Sequence, residues 1–540
     1  MRTVHSRWLL AYGGTFHTQD PKAPRAQALL ARDGEVVAVG SRDDVESLAR
    51  LLGAQAGNQV RLDLEGAAVV PGLIDAHIHL LHWASSLDRV PLGGATRRAE
   101  VVRRVAVAAS KAAPGAWVQG WGWDHSLWDD TDGGFPDAAI LDAVAPDVPV
   151  ALTRKDGHMV WLNSMAMGRA GIGLATNAPP GGVIGRDVHG HPNGLLFENA
   201  VNLLERVIPA LTHAQAVDSF RRHLPDLHRV GVTGAHVPEG PRTFRALQAL
   251  DASGDLGLRV HMMLPAGAAR HAIAAGLATG IGSPRLKVGH VKFFVDGSLG
   301  SETAAMFDPF IGSPGNVGVL TIEPDDLLEA VRECIGADLA PAIHAIGDRA
   351  NRIVLDAFEA TRESWSARGL RPRVEHVQVL HPSDVERFGR LGVVASMQPI
   401  HATQDLDLVD RLWGARGRYA YAFGSLEATG AVLAFGSDAP VETPDPLQGV
   451  VAAVTRRRPD GYPTEGWYPD ERLATARAIA AYTTGSAYAS QDEGVLGVLA
   501  PGARADLVVL SRDPYEAPPE ALHTVRVCAT VFDGEVVYRE

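Results

Sequence analysis

Hydrophobic and polar positions alternate with a short period at both ends of the chain. TVHSRWLLAYGGTF, AQALLARDGEVVAVG and NQVRLDLEGAAVV near the start read as short strands, and so do GARADLVVLSRDP and TVRVCATVFDGEVVYRE near the end. Asp33-Gly34 and Asp533-Gly534, each flanked by apolar residues, are dipeptides suited to a two-residue hairpin turn. Two strand-rich ends around a different middle predict that the termini meet in one small sheet domain. Between them the pattern mixes two periods. Helical stretches are expected at Ala99–Lys111, His213–Val230, Pro324–Ile335, Arg349–Arg362 and Pro382–Leu391. Strands are expected at Leu258–Leu264, Leu286–Val295, Pro341–Ile346, Arg373–Val379, Val393–Met397 and Ala431–Gly436. Such alternation predicts an α/β fold with a parallel sheet closed by helices. The stretch from about 115 to 199 breaks the pattern. It is rich in Gly, Pro, Trp and Asp and reads as an inserted, lid-like region of long loops.

Ligand-type residues stand at the ends of several apolar runs. These are His77-Ile78-His79 in VVPGLIDAHIHLLH, His344 in PAIHAIGD, His376 in RVEHVQVL and Asp438 in AVLAFGSDAP. Parallel strands converging on one rim are how a barrel assembles a site from residues far apart in sequence. His77 and His79 stand two apart, so on a strand both side chains face one way. Each histidine alone is more often an ordinary polar residue. Four such motifs together point to a divalent metal such as Zn²⁺, Fe²⁺, Mn²⁺ or Co²⁺. Asp438 could be ligand and general base at once. Lys292 lies inside the apolar run VKFFV, where it either snorkels to solvent or, carboxylated on its amine, bridges two ions. Glu375, next to His376, is expected to point away from it, towards the helices. His82, His189, His191, His236 and His261 carry no motif support as ligands.

Composition narrows the function classes. The chain has 540 residues, a hydrophobic fraction of 46% and a formal net charge of −13, which argues against nucleic acid and anionic membranes. Two cysteines, Cys334 and Cys528, give no disulfide framework and suit a reducing cytoplasm. No apolar run approaches the ~18–20 residues that span a bilayer, and no secretory signal is expected from the first residues. No GxGxxG or P-loop follows an early strand, which argues against a nucleotide-binding doubly wound sheet.

PGLIDAHIH, HAIGDRAN, VEHVQ, SMQPIHATQD and FGSDAPV together resemble the amidohydrolase superfamily, in its YtcJ-like branch (amidohydrolase family 3), which includes N-substituted formamide deformylases. The resemblance covers most of the chain. It implies a (β/α)₈ TIM barrel over residues 71–494 with a composite β-sandwich of residues 1–70 plus 495–540, and metal ligands at His77, His79, His344 and His376. It also implies a carboxylated Lys292 as bridge, carrying a carbamate derived from CO₂, and Asp438 as base. The branch further matches at Asp156, His158, Asn163, Asp296, Ser298 and Gln398, which are expected to line the substrate pocket. His158 and His401 are the candidates to stabilise a tetrahedral oxyanion. The expected function is hydrolysis of a linear C–N bond, in an amide or an N-formyl or N-acyl amine, by water activated on one or two ions, most simply Zn²⁺. The alternatives are a cyclic amidase or mononuclear aminohydrolase on the same barrel, and a non-catalytic binding protein. The partner expected is a small-molecule substrate, and exposed sheet edges would suit a homodimer.

Overall fold

The computed structural model describes residues 7–54, 58–113, 115–131, 134–155, 157, 159–179, 182–204 and 206–540. The chain divides into two compact units, Met1–Leu80 with Arg221–Glu540, and Leu81–Phe220.

The larger unit contains eight parallel strands, β1 (Leu73–Asp75), β2 (Val232–Val237), β3 (Arg259–Pro265), β4 (Leu286–Phe294), β5 (Ala340–Ala345), β6 (Arg373–His376), β7 (Val394–Met397) and β8 (Leu433–Phe435). Each pairs with its neighbour in chain order, from β1 to β8. Backbone bonds then join the two ends of this sheet. Ala76 N donates to Phe435 O at 2.9 Å, Asp438 N to His77 O at 2.7 Å and His79 N to Ala439 O at 3.0 Å. The buried Asp75 carboxylate reinforces the seam by accepting from His77 N, Ser437 N and, at 2.6 Å, Ser437 Oγ. The segment after β1 is therefore held against the segment after β8, and the sheet closes at the rim where the ligand motifs lie.

Helices fall where the 3.6 period places them, at Arg98–Ala109, His213–Arg229, Pro324–Gly336, Asp348–Ala360 and Pro382–Leu391. β2 was not anticipated, because Gly234 and His236 interrupt the apolar character of VTGAHV. β6 ends three residues earlier than its apolar run, because His376 (φ 76°) and Val377 (φ 48°) adopt the left-handed conformation.

The termini form one eight-stranded sheet. Its strand order is 535–539, 527–532, 507–510, 68–71, 8–17, 25–32 and 35–40, with 59–63 beside 8–17. Leu29, Val36, Leu62, Leu507, Ala529 and Val531 share one core, although 35–40 and 527–532 lie near opposite ends of that order. The sheet must therefore curl until its two halves face each other, as in a sandwich. Both hairpin turns have positive φ at Asp and Gly, 50° and 83° at Asp33-Gly34, 52° and 76° at Asp533-Gly534. They also meet each other. A Cβ on Gly34 would come within 2.5 Å of Asp533 Oδ1.

Arg259, at the start of β3, ties the barrel to this sheet. Its guanidinium donates to Asp506 at 2.5 and 3.0 Å and to Asp533 at 2.8 Å, and all but 6% of its surface is buried. Arg259→Ala would leave Asp506 buried without its partner. We expect a loss of about 3–5 kcal/mol in a denaturant melt, because a broken buried pair strands a charge.

The smaller unit is not a set of loops. It has a six-stranded sheet ordered 182–186, 192–198, 159–162, 150–154, 118–123 and 90–91. Trp123, Trp128 and Trp161 pack together at its centre with ring centroids 5.8–6.2 Å apart, the first two stacked and Trp161 inclined to both. Short strands and Gly-rich turns disguised this core in the sequence; the region expected as an insertion, 115–199, lies inside the unit. Among the described residues no helix is long and apolar enough to cross a membrane.

Candidate metal centre

β1, β4, β5, β6 and β8 bring His77, His79, Lys292, His344, His376 and Asp438 to one rim of the barrel. The imidazole centroids of His77 and His376 are 4.9 Å apart, those of His344 and His376 4.6 Å, and those of His77 and His79 5.6 Å. Asp438 Oδ1 lies 3.3 Å from His79 Nε2 and 3.7 Å from His77 Nε2. Ligand atoms of His77, His79 and Asp438 all lie within 4.8 Å of one another. That is close to the diameter of one coordination sphere with His and carboxylate ligands, about 4.2 Å. His376 and Asp438 (φ 58°) both sit in the left-handed region, a strain of roughly 1–3 kcal/mol each that clusters at functional rims.

Hydrogen bonds fix which nitrogen His77, His344 and His376 keep bare. His77 Nδ1 lies 2.6 Å from Glu375 Oε2, a carboxylate that only accepts, so Nδ1 carries the proton. His77 Nε2 is left as a lone pair, buried and without a hydrogen-bond partner among the described residues. His376 Nδ1 donates to Gln398 Oε1 at 2.9 Å and so frees its Nε2. His344 Nε2 donates to Gly297 O at 3.0 Å and so frees its Nδ1. Three unprotonated nitrogens beside a carboxylate form a donor set suited to a divalent cation.

Burial reinforces that state. It pushes His77 down to about 4 and His344 to about 3, helped in both by the charge of Lys292, and takes His376 well below its ordinary value. These imidazoles are neutral at pH 7, the form that ligates metal. Burial alone would raise Asp438, but its hydrogen bond with His79 and the neighbouring imidazoles hold it well below the usual carboxylate range. Lys292 is 3% exposed and forms no ion pair among the described residues; its ammonium sits 4.6 Å from the Phe294 ring centroid. Burial lowers its amine to about 8.

The same burial predicts acid lability of the metal-free protein. His77, His344 and His290 have folded values of about 4, 3 and 3, and His236, His261 and His376 lie well below 6.5. Between about pH 5 and 6.5 His77, His344 and His290 are neutral when folded and protonated when unfolded, and the lowered His236, His261 and His376 act in the same direction, so unfolding takes up protons there. Asp75 and Asp296, raised to about 7 by burial, release protons on unfolding in the same window. The histidines outnumber them, so stability should fall as pH drops, by about 1.4 kcal/mol per pH unit for each net proton. Calorimetric Tm measured from pH 7 to pH 4.5 should decline; a flat or rising Tm would contradict this balance.

The other expected site residues are placed as follows. Gln398 holds His376 through Oε1, while its Nε2 is buried without a partner. His401 Nε2 is also unpartnered, 3.8 Å from Asp438 Oδ2. Asp296 accepts from Ala305 N, Ile346 N and Gly347 N at 2.8–3.0 Å and pins the loops after β4 and β5 together. Ser298 Oγ lies 2.8 Å from Ser301 Oγ in the first of those loops. Asn163 belongs to the smaller unit. Its amide accepts from Val150 N and Ala166 N and donates to Ala145 O and Val148 O, which leaves no donor or acceptor for a ligand. Asp156 and His158 lie outside the described residues.

Glu375 corrects an expectation. It does not face the helices but is fully buried against His77. Arg373 and Glu375, two apart on β6, both point into the barrel. His376 reaches the same rim because its left-handed φ breaks the alternation that strand geometry assumes. Asp75, Ser437, Arg373 and His236 were not anticipated either. Asp75 had a signal, since Asp75, His77 and His79 stand at i, i+2 and i+4.

Comparison with known proteins agrees with this architecture. The sequence profile of the amidohydrolase family matches residues 61–538. The chain is similar to Protein LONG AFTER FAR-RED 3 of Arabidopsis thaliana, with 34% identity over 98% of this chain and 91% of that protein. It is similar to the putative amidohydrolase YtcJ of Bacillus subtilis, with 30% identity over 98% and 99%. With the N-substituted formamide deformylase of Arthrobacter pascens it shares 28% identity over 98% of each. Among solved structures it resembles a metal-dependent hydrolase from Pyrococcus horikoshii, with TM-score 0.79 and 28% identity over 95% of this chain and 99% of that one. The chain therefore belongs to the amidohydrolase family and is a metal-dependent hydrolase.

Proposed function

We propose that this hydrolase cleaves the C–N bond of a linear amide, an N-formyl or N-acyl amine. The observation that supports the reading most is the set of bare nitrogens, His77 Nε2, His376 Nε2 and His344 Nδ1, beside Asp438 and a buried Lys292. His77, His79, His344, His376 and Asp438 would hold one or two divalent cations, for which Zn²⁺ suits the imidazole and carboxylate set. Such a cation supplies Lewis-acid polarisation of a carbonyl and brings a water's pKa to roughly 7. The neutral amine of Lys292 would add CO₂, with loss of a proton, to give a carbamate able to bridge two ions. Asp438 takes the proton of the attacking water and returns it to the leaving nitrogen. His401, whose Nε2 makes no hydrogen bond among the described residues, would face a developing oxyanion, and His158 is the other candidate. The preference for linear amides rests on the likeness to the Arthrobacter deformylase. Lacking paired cysteines, the protein would work in the cytoplasm on a small molecule.

A second reading, a mononuclear aminohydrolase, draws on the close gathering of His77, His79 and Asp438, three groups that could hold a single ion. The two differ in product. Protein stripped with chelator and reloaded with Zn²⁺ is offered N-alkylformamides, N-acetylamines, cyclic amides and aminoheterocycles. Acid and free amine from the linear substrates, only after reloading, are expected. Ammonia from the aminoheterocycles alone would overturn the proposal in favour of the second reading.

A further inference from the structure

A barrel interior is ordinarily filled by layers of branched apolar side chains. Just beneath the metal centre this one carries a layer of charge. Glu375 and Arg373 are both fully buried, and the Arg373 guanidinium meets the carboxylate at 2.5 Å (Nε to Oε1) and 3.2 Å (Nη2 to Oε2). The same guanidinium donates to Ala76 O at 2.6 Å, to Ser396 Oγ at 2.6 Å and, through Nη1, to His236 Nδ1 at 2.7 Å. Ser396 Oγ in turn donates to Glu375 Oε2 at 2.7 Å. The segment after β1 and strands β2, β6 and β7 thus converge on one arginine, and the carboxylate it fixes has its remaining contact on His77 Nδ1 at 2.6 Å.

We propose that Glu375 is a positioning residue for the metal centre: clamped by Arg373 and Ser396, it fixes the tautomer and ring orientation of His77 so that Nε2 faces the cation. The proposal rests on the metal-site reading above. A purely structural clamp needs only the Arg373–Glu375 pair. It does not need the clamped carboxylate to accept a further hydrogen bond, at 2.6 Å, from an imidazole whose other nitrogen is buried and bare. An anion behind a ligating imidazole also increases its basicity, and removing such a partner typically costs 10–100-fold in metal affinity. Arg373 acts one step further out. It holds the carboxylate ionised and, through Ala76 O, anchors the backbone next to His77.

Two variants test this without relying on turnover. Glu375→Gln removes the charge and keeps the shape. Glu375→Asp keeps the charge beside Arg373 but is one methylene too short to hold His77, and it provides the readout should the amide variant fail to fold. Zn²⁺ affinity is measured by chelator competition, Tm with and without Zn²⁺, and the absorption spectrum after loading with Co²⁺. We expect affinity to fall 10- to 100-fold in either variant, the Zn²⁺-induced gain in Tm to shrink, and the Co²⁺ spectrum to change. A lower Tm of the metal-free variants with Zn²⁺ affinity within twofold of the parent chain would overturn the positioning role and leave a structural clamp. Failure of the parent chain itself to bind Zn²⁺ or Co²⁺ would overturn the metal-site reading, and this inference with it.

Discussion

Asp438→Asn should reduce hydrolytic turnover by about 10³-fold, within the 10²–10⁴ range for removing a general base, while leaving the fold intact. Asn occupies positive φ more readily than most residues, so the φ of 58° at this position survives the change. What disappears is the anion. Asp438 lies 3.3 Å from His79 and 3.7 Å from His77, and its carboxylate is ionised far below neutral pH because those imidazoles outweigh its burial. An amide has neither the charge to ligate strongly nor the basicity to accept a proton from water. The measurement is steady-state kcat on a linear amide that the parent chain hydrolyses, with Zn²⁺ present and Tm as a control for folding. A loss below tenfold at unchanged Tm would remove Asp438 from the chemistry.

Lys292→Ala carries the second large effect, a fall from two ions per chain to one and a drop in kcat of about 10²-fold, the scale set by removing one electrostatic stabiliser of a transition state. The side chain is 3% exposed, without an ion pair among the described residues, and its amine is lowered to about 8 by burial. A buried ammonium with no carboxylate in direct contact is costly. Conversion to an anionic carbamate between two cations would remove that cost, which makes the residue's placement intelligible. Bicarbonate added during metal loading should raise the stoichiometry of the parent chain and leave that of the variant unchanged.

The sequence exposed the rim of the barrel better than its interior. The residues gathered at the rim were legible because they end apolar runs, where a period-2 pattern stops at a polar group, and because His77 and His79 share a face. The hairpin turns were legible because Asp-Gly has few other uses between apolar pairs. The interior pair was not, because strand alternation assigns Arg373 and Glu375 to the face opposite His376. The rule fails where a left-handed residue ends the strand, and no local sequence feature announces that His376 has φ 76°. β2 was hidden by Gly234 and His236, and the His236 ring is there to accept from Arg373. The smaller unit was misjudged for a different reason: its strands are four to seven residues long apart from a two-residue edge, and its core is carried by tryptophans in Gly-rich surroundings.

Metal content per chain, by elemental analysis of protein purified without chelators and with bicarbonate present, bears most directly on the central claim. Close to two divalent ions in the parent chain, falling to about one in Lys292→Ala, is the predicted result. No bound metal, even after reloading with Zn²⁺ or Co²⁺, would contradict the account and leave the bare nitrogens of His77, His344 and His376 without a purpose.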